Sequence, residues 1–286
     1  MPPTHRAENR YDAAMRALNQ PESWWGWHGY NHPQPLSITE IMDAGTLPPR
    51  AAALLWVAME RGASIILAAD PPGAGKTTIL TALLAFTRPE TGVYFTRGWG
   101  ETFRLPPRSA DETIYLLINE ISDHLPVYSW GPYVQRAFEL MAEGYSLAST
   151  MHADTVDGVI EQLLEENDVD PRHLGHLTFV APIFVGAQAG RRVRRLSELC
   201  VLEPLGAAYD RHSVARWRPE DDSFEMLATP AAIGAAARRL GMTDDELLAE
   251  VARREAFLRE LSAQGVTDID EVQRRIFAFS GYDVAG

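Results

Sequence analysis

The chain has a single cysteine and no long apolar run. Because Cys200 has no partner among the 286 residues, an internal disulfide is excluded, and one thiol is typical of a protein in a reducing compartment. No segment approaches the ~18 consecutive apolar residues that a membrane-spanning helix requires. The N-terminal stretch MPPTHRAENRYD lacks the apolar centre of a secretory signal peptide. We therefore expect a soluble, cytoplasmic protein.

Basic residues are also scarce. Lys and Arg number 26 against 39 Asp and Glu, which gives a net charge of −13 at pH 7. Binding to nucleic acid needs clustered basic residues, and single strands also need an aromatic platform for the bases. The composition therefore argues against a nucleic-acid partner and against a helicase. With 46% hydrophobic and 23% charged residues the chain is an ordinary globular protein, and its length predicts about two domains.

The most informative stretch is residues 64–86, SIILAADPPGAGKTTILTALLAF. Residues 64–69 form an apolar run with two β-branched isoleucines, which predicts a strand buried on both faces. The prolines and glycines of residues 70–75 exclude both strand and helix. From Lys76 the apolar residues follow helical spacing, which predicts a helix at the end of this loop. A strand, a tight glycine-rich loop and a helix that opens with Lys-Thr are the context of a P-loop, which binds nucleotide phosphates.

A P-loop binds anions through its backbone. The N–H groups of the loop and of the first helical turn point toward the phosphates, and the helix dipole adds partial positive charge. Lys76 would neutralise the terminal phosphates, and the Thr77 hydroxyl would ligate magnesium. The pattern therefore predicts a nucleotide and Mg²⁺ as ligands. The residues predicted to bind them are Pro72, Gly73, Ala74, Gly75, Lys76, Thr77 and Thr78.

Asp70 departs from the P-loop pattern, which has glycine at its first position. A carboxylate ~4 Å from a phosphate charge would cost roughly 4 kcal/mol at an effective dielectric constant of ~20. Two alternatives follow. Either Asp70 points away from the nucleotide, as its place at the end of the strand allows, or the affinity for nucleotide is reduced.

Residues 116–120, LLINE, predict a buried strand that ends in a carboxylate. In P-loop ATPases a strand beside the P-loop strand brings an acidic group to the magnesium ion or to the attacking water. The chain between Lys76 and Glu120 has room for one helix, one strand and a connection. We therefore predict that Glu120 is catalytic and ligates Mg²⁺ directly or through water. A surface glutamate that merely ends a strand is the alternative.

A third group of polar residues, STMHAD, follows the apolar strand predicted over residues 145–149. The carboxyl ends of the strands in an open parallel sheet face the ligand crevice. We therefore predict that His152 senses the terminal phosphate or helps to position water. A purely structural histidine is the alternative on spacing alone.

Strands and helices alternate through the centre of the chain, and residues 36–62 precede them as two predicted helices. This alternation after a P-loop predicts a parallel sheet covered on both faces. The other predicted strands cover residues 93–96, 114–118 and 145–149, and the predicted helices cover residues 133–143 and 156–166.

From residue 178 onward the pattern changes to strands joined by tight turns. Turns are predicted at residues 190–192 and 220–222, where glycine or aspartate interrupts the apolar runs. The arginines at 191, 192, 194 and 195 indicate a solvated hairpin tip or, alternatively, a contact with the nucleotide of a neighbouring subunit. Thr229-Pro230 and the capping box Thr243–Glu246 then predict a helical tail. Predicted boundaries are 1–50 for an N-terminal segment, 51–228 for the core and 229–286 for the tail.

The N-terminal segment is rich in aromatic residues interleaved with glycine and proline. Trp24, Trp25, Trp27 and Tyr30 do not follow the spacing of a helix. We interpret them as anchors that fill a groove on the core, and a surface for a partner protein is the alternative. His28 and His32 lack a second pair of ligands, so no metal site is predicted there.

The order of these segments resembles the ATPase core of the motor superfamily that serves type II secretion, type IV secretion and pilus assembly, with the Tad-pilus and archaeal-pilus branch most similar. LLINEISD resembles the Walker B strand of the family, and GYSLASTMHADTVDGVIEQL resembles its His box. GRRVRRLSELCVLEP is similar to a later hairpin, and residues 240–276 are similar to the C-terminal helices of archaeal-type members. The resemblance runs from about residue 36 to about residue 280.

The resemblance implies a RecA-like P-loop core with a mainly parallel sheet, a β-hairpin extension and a C-terminal helical tail. It implies ATP hydrolysis in a ring, typically a hexamer, that acts on a platform protein of the inner membrane. Residue by residue, Lys76 and Thr77 match phosphate and magnesium binding, Glu120 matches the Walker B glutamate and His152 the His box. Glu101 falls on the second glutamate of the family's acidic Asp box, which makes it a further candidate catalytic residue.

The chain also departs from the family. Arg97 and Gly98 stand where the Asp box has Glu-Asp, and Ser122 replaces an arginine. An arginine-bearing helix has no counterpart between residues 103 and 114, and residues 1–50 stand where most members have a large domain. Because an arginine finger is worth ~10³–10⁵ in rate, two hypotheses follow. The chain is either a hydrolysing motor subunit or a degenerate paralogue that serves as a scaffold or regulator of one.

Overall fold

A computed structural model describes residues 15–19, 35–188, 190–206 and 208–282. The Trp-rich segment lies outside the described residues, and so do His28 and His32. Among the described helices, none has both the length and the apolar character needed to cross a membrane.

The first helices begin where the sequence predicts. β1 (Arg16–Ala17) is a short strand at the edge of the sheet. α1 (Ile38–Asp43) begins at a capping box, in which the Ser37 hydroxyl accepts from the Glu40 amide and the Glu40 carboxylate accepts from the Ser37 amide. α2 (Pro49–Glu60) has proline at its first position, and residues 51–59 are all buried.

The parallel part of the sheet carries the nucleotide motifs. Its elements in chain order are β2 (Ile65–Ala68), α3 (Lys76–Leu84), β3 (Gly92–Phe95), β4 (Ile114–Ile121), α4 (Pro132–Ala142) and β5 (Ser146–Met151). After β5 come α5 (Val156–Glu161), which continues as a π-helical turn over residues 162–166, and α6 (Pro171–Leu174). The strands lie in the order β1-β3-β4-β5-β2, and every neighbouring pair is parallel.

This order corrects one prediction. The strand that ends in Glu120, β4, is not the direct neighbour of the P-loop strand β2, because β5 lies between them. The pairing of β5 with both strands is regular, with Ala148 opposite Ile65 on one side and opposite Leu117 on the other. The helical connections α3, α4 and α5 provide the crossovers that parallel strands need.

The antiparallel part of the sheet begins at β6. Its strands are β6 (Phe179–Gln188), β7 (Arg191–Leu196), β8 (Glu198–Leu205), β9 (Ala208–Arg218) and β10 (Ser223–Met226). β6 is parallel to β2 and antiparallel to β7 and β8. β6 changes partner at Pro182, since residues 179–180 pair with β8 and residues 183–188 pair with β7. Ser197 ends β7, and both its amide and its hydroxyl donate to the Pro182 carbonyl at 2.9 Å.

Helices cover both faces of the sheet. One face packs against α1, α2 and α3 and against the tail helices α7 (Pro230–Arg239), α8 (Asp244–Ala263) and α9 (Ile269–Ser280). The other face packs against α4, α5 and α6. Trp56 of α2 stacks on Phe86 with ring centroids 5.5 Å apart, and Phe257 and Phe279 of the tail pack around it. The predicted α/β class, with a mainly parallel sheet, a hairpin extension and a helical tail, is confirmed.

Candidate active site

The carboxyl ends of β2, β4 and β5 meet at one edge of the sheet. β2 and β5 end in register, with Ala68 opposite Met151, so Asp70 and His152 follow side by side. β4 carries one extra residue between Ile118 and Ile121, which is a β-bulge. Bulges turn a side chain out of the regular alternation of a strand. This bulge lies at Glu120, whose carboxylate oxygen Oε1 is 3.1 Å from His152 Nε2.

The P-loop presents free backbone donors. Gly73 and Gly75 have φ of +70° and +94°, which glycine adopts without strain. Gly75 is the N-cap of α3, and no side chain caps this helix. The first intrahelical hydrogen bond is donated by Ile79 to the Gly75 carbonyl, so the amides before it have no helical acceptor. These donors fit an anion such as the phosphates of ATP.

Lys76 is enclosed at the base of the loop. Only 7% of its surface is exposed, and its Nζ donates to the Ala69 carbonyl at 2.7 Å, which leaves further N–H groups for a ligand. Burial lowers the pKa of the Lys76 ammonium, and the carboxylates of Glu120, Asp70 and Asp154 oppose that shift. The three carboxylates therefore surround the lysine closely enough to stabilise its positive charge.

Asp70 takes part in the site through its backbone as well. Its carbonyl accepts from His152 Nδ1 at 2.9 Å, and its amide donates to Asp154 Oδ1 at 3.0 Å. The side chain is exposed, and it is one of the carboxylates that act on Lys76. It therefore belongs to the electrostatic surroundings of the phosphate site. Whether this charge reduces the affinity for nucleotide stays a prediction.

Glu101 has a different set of partners. One of its oxygens accepts from the Tyr94 hydroxyl at 2.8 Å and from the backbone amides of Thr102 and Phe103, and the other accepts from the Arg97 amide at 2.9 Å. Burial and Glu101 raise the pKa of the Tyr94 hydroxyl. Within the described ranges, no hydrogen bond or ion pair joins Glu101 to Lys76, Glu120 or His152. These contacts fix the loop after β3, and the catalytic role of Glu101 stays a prediction.

Two of the departures from the family pattern have structural reasons. Gly98 has a φ of +59°, and an added Cβ would lie 2.1 Å from the Pro126 carbonyl oxygen, so the loop after β4 packs directly on its backbone. Ser122 is buried, and its hydroxyl accepts from the His124 amide at 3.1 Å. A longer side chain at either position would displace the loop of residues 122–130, which covers Glu120.

An arginine from the hairpin lies over the P-loop of the same chain. Arg194 of β7 donates from its guanidinium to the Gly73 carbonyl at 3.1 Å, and its Cδ and Nε lie 3.6 Å from the position of a Cβ on Gly75. The neighbouring Arg195 instead pairs with Asp222 at 2.8 Å. The sequence left two interpretations of the arginine cluster, a solvated tip and a contact with the nucleotide of a neighbouring subunit. In the structure Arg194 contacts the P-loop of its own chain.

No protein-family profile matches the chain. Two curated relatives come from Methanocaldococcus jannaschii. The uncharacterized protein MJ1287 is 23% identical over 274 residues, a match that covers 85% of this chain and 98% of the relative. The uncharacterized protein MJ0900 is 25% identical over 275 residues, which is 86% of this chain but 49% of the relative. The chain thus spans about half the length of MJ0900.

Solved structures give partial overlaps. The VirB11 ATPase of the Brucella suis type IV secretion system, solved in complex with sulphate, overlaps 56% of this chain and 53% of its own with a TM-score of 0.39 and 19% identity. The Legionella pneumophila ATPase DotB overlaps 84% of this chain and 63% of its own with a TM-score of 0.33 and 11% identity.

Sequence reasoning missed three side chains of this group. Asp154 lies in the segment that was singled out, but no role was predicted for it. Arg194 was one of four similar arginines, and no pattern distinguishes it from the others. His124 follows Glu120 by four positions, and its ring centroid lies 5.5 Å from that of His152. The spacing Glu-x-x-x-His after a strand was the signal that could have drawn attention to it.

Proposed function

We propose that this chain binds Mg-ATP and hydrolyses it as a motor subunit of a secretion or pilus assembly system. The observation that carries the proposal is the pairing of Glu120 with His152 beside the P-loop, where the Glu120 carboxylate acts on the enclosed Lys76. The ordered resemblance of residues 36–280 to secretion and pilus motors supports the part of the proposal that concerns the machine. By the same resemblance the chain works in a homo-oligomeric ring, a hexamer, beside an inner-membrane platform protein.

Each residue has a chemical task in this proposal. The uncapped amides of α3 and the Lys76 ammonium bind the terminal phosphates. Glu120 orients the attacking water, whose oxygen bonds to the terminal phosphorus in line as the bond to ADP breaks. His152, fixed by the Asp70 carbonyl, positions the Glu120 carboxylate. Arg194 adds positive charge at the phosphate side of the loop. Glu101, which fixes the loop after β3, is the alternative candidate for orienting the water.

The donor set also fits magnesium. Thr77, the second residue of α3, offers a hydroxyl, and Glu120 offers a carboxylate directly or through water, which are the oxygen ligands that Mg²⁺ prefers. When bound, the ion would neutralise phosphate charge. It is needed here more than usual, because three carboxylates, Glu120, Asp70 and Asp154, act on Lys76. We therefore expect metal-free ATP to bind weakly.

A purified-chain turnover assay tests the proposal. Wild type should release phosphate from Mg-ATP, and Lys76→Ala should abolish both binding and turnover. Glu120→Gln should keep Mg-ATP affinity within a few-fold while turnover falls ~10²–10⁴-fold, the usual contribution of a positioned carboxylate. Light scattering with and without Mg-ATP measures ring assembly. Hydrolysis at the wild-type rate by Lys76→Ala would show that the site is assigned wrongly.

A second candidate is a paralogue that binds nucleotide without turnover and regulates a complete motor. The acidic surroundings of Lys76 and the absence of an arginine at Ser122 favour it. Calorimetry that shows Mg-ATP binding, together with no phosphate release by wild type, would select this candidate. Steady turnover by the chain alone would exclude it.

A further inference from the structure

Glu120, His124 and His152 bring three metal-ligating atoms together at the tips of β4 and β5. One carboxylate oxygen and one imidazole nitrogen from each histidine all lie within 4.8 Å of one another. In the described part of the chain this is the one such group of histidine, cysteine and carboxylate side chains. Three atoms this close together can all bind one ion placed between them, because zinc–nitrogen and zinc–oxygen bonds are ~2.0–2.2 Å long.

The hydrogen bond on the far side of the His152 ring fixes its orientation. Nδ1 lies 2.9 Å from the Asp70 carbonyl oxygen, and a carbonyl oxygen only accepts, so Nδ1 carries the proton. In the neutral ring Nε2 is then an acceptor with a lone pair, and it faces Glu120 Oε1 at 3.1 Å. A histidine that donates from one nitrogen to a carbonyl and presents the other is the usual arrangement around a metal.

Glu120 provides an independent observation. Its residue surface is 8% exposed, and Oε1 is buried with no hydrogen-bond partner of suitable geometry. Two acceptors, this oxygen and His152 Nε2, therefore face each other and need a cation between them. A proton on Nε2 would supply one. His124 favours a metal ion. It brings a third ligating atom within 4.8 Å of the other two, which a metal ion would bind and an ion pair of Glu120 with protonated His152 would not use.

The loop after β4 holds His124 at the entrance of this group. The Ser122 hydroxyl accepts the His124 amide proton, and the Ser129 amide donates to the Glu120 carbonyl at 3.0 Å, so the loop turns back over the strand end. The side chain of His124 is 65% exposed. An ion from solvent can therefore reach the two inner ligands, and His124 closes over it.

We propose that Glu120, His124 and His152 bind a divalent transition metal of the zinc type, with water in the fourth position. Two imidazoles and one carboxylate match the ligand preference of Zn²⁺ and its neighbours, whereas Mg²⁺ prefers oxygen ligands. Metal binding stands on this geometry alone. Its consequence for turnover rests on the proposed function: the metal occupies Glu120 and His152, so the loaded chain is inhibited.

Calorimetric titration of the nucleotide-free chain with Zn²⁺ in the presence of excess Mg²⁺ tests the site. Wild type should bind one equivalent, and His124→Ala should bind at least tenfold more weakly. Because the Asp123 carboxylate lies 3.8 Å from His124 Nε2, the control is His176→Ala, which removes an exposed imidazole outside the ligand group and should bind like wild type. Co²⁺ gives a spectroscopic readout, since its visible absorption in a site with nitrogen ligands should appear with wild type and be lost in His124→Ala.

Turnover is measured separately. Micromolar Zn²⁺ should inhibit Mg-ATP hydrolysis by wild type, whereas hydrolysis by His124→Ala, compared with its own zinc-free rate, should resist that inhibition. No zinc binding by wild type, or equal affinity in a folded His124→Ala, would overturn the metal site whatever the turnover. If the chain proves inactive on ATP while one equivalent of zinc binds through His124, the function proposed above fails and the metal site stands.

Discussion

Asp70 places a carboxylate at the start of a loop that is built to bind phosphate. Its charge acts on Lys76, and its exposed side chain is partly screened by solvent. At ~4 Å a unit charge pair is worth about 1 kcal/mol in water and more when partly buried, so its repulsion of a nucleotide is expected to be moderate.

We predict that Asp70→Asn tightens Mg-ATP binding about fivefold, because one negative charge near the phosphates is removed while the backbone contacts to His152 and Asp154 remain. Calorimetry or a fluorescent nucleotide measures the affinity. Asp123→Asn removes an equal charge from a nearby loop and is the matched control. Unchanged or weaker binding by Asp70→Asn would mean that Asp70 is not directed at the nucleotide.

Gly98 and Gly100 are close in sequence but differ in the space that surrounds them. Alanine at Gly98 would place Cβ 2.1 Å from the Pro126 carbonyl oxygen at a φ of +59°, whereas nothing lies within 4 Å of a Cβ on Gly100. We expect Gly98→Ala to destabilise the fold by about 2 kcal/mol or more and to displace the loop over Glu120, and Gly100→Ala to be nearly neutral. Thermal unfolding measures both variants. Equal melting temperatures would contradict the observed packing.

At this scale the sequence predicted the positions of the candidate residues better than their surroundings. The P-loop and the strand that ends in Glu120 could be predicted because both are local patterns, and the roles of Lys76 and Glu120 stay predictions. The partners of Glu101 could not, because they are backbone amides of its own loop. Glycine is needed at position 98 because the backbone of residues 126–128, which are distant in sequence, packs against it in the folded chain.

The hairpin of β6 and β7 brings an arginine to the P-loop from more than a hundred residues away in the sequence. We predict that Arg194→Ala lowers kcat/KM for Mg-ATP about tenfold, since a charged hydrogen bond at the phosphate loop is worth ~1.5–3 kcal/mol. Arg192→Ala, an equally exposed change on the same strand that makes no hydrogen bond to the P-loop among the described residues, should leave it unchanged. Equal kcat/KM values for the two variants would show that Arg194 does not contribute to nucleotide binding or turnover and is a solvated surface residue.

Helices, strands and turns were predicted well where a short sequence pattern determines them. The capping box at Thr243 and the turn at residues 220–222 appear as expected. Residues 191–205, in contrast, divide into two strands, β7 and β8. The break at Ser197 depends on hydrogen bonds to Pro182, which no local pattern reveals. The position of β5 between β2 and β4 is likewise a property of the whole sheet.

The tail helices are joined to the rest of the molecule by a buried ion pair. Arg254 of α8 is 6% exposed, pairs with Glu60 of α2 and lies over the Trp56 ring at 5.0 Å. The Tyr282 hydroxyl donates to the same carboxylate at 3.0 Å. Helices α7 to α9 therefore share one hydrophobic core with the sheet.

We predict that Arg254→Ala destabilises the whole chain by about 3–5 kcal/mol, because it leaves the Glu60 charge buried with only the tyrosine as partner. Arg259→Ala, an exposed change on the same helix, should cost no more than ~0.5 kcal/mol. Denaturant unfolding followed by near-UV circular dichroism and by nucleotide binding should give coincident transitions. If the near-UV circular dichroism changed at a lower denaturant concentration than nucleotide binding, the tail would unfold independently of the core.

β5 is hydrogen-bonded along its length to the strand that enters the P-loop and to the strand that ends in Glu120. Its last residue is followed by His152, whose carbonyl accepts from Gln162 Nε2 at 2.6 Å in the π-helical turn. Under the proposed function, His152 would therefore connect a phosphate at this edge of the sheet to the helical turn that follows α5 through a single hydrogen bond.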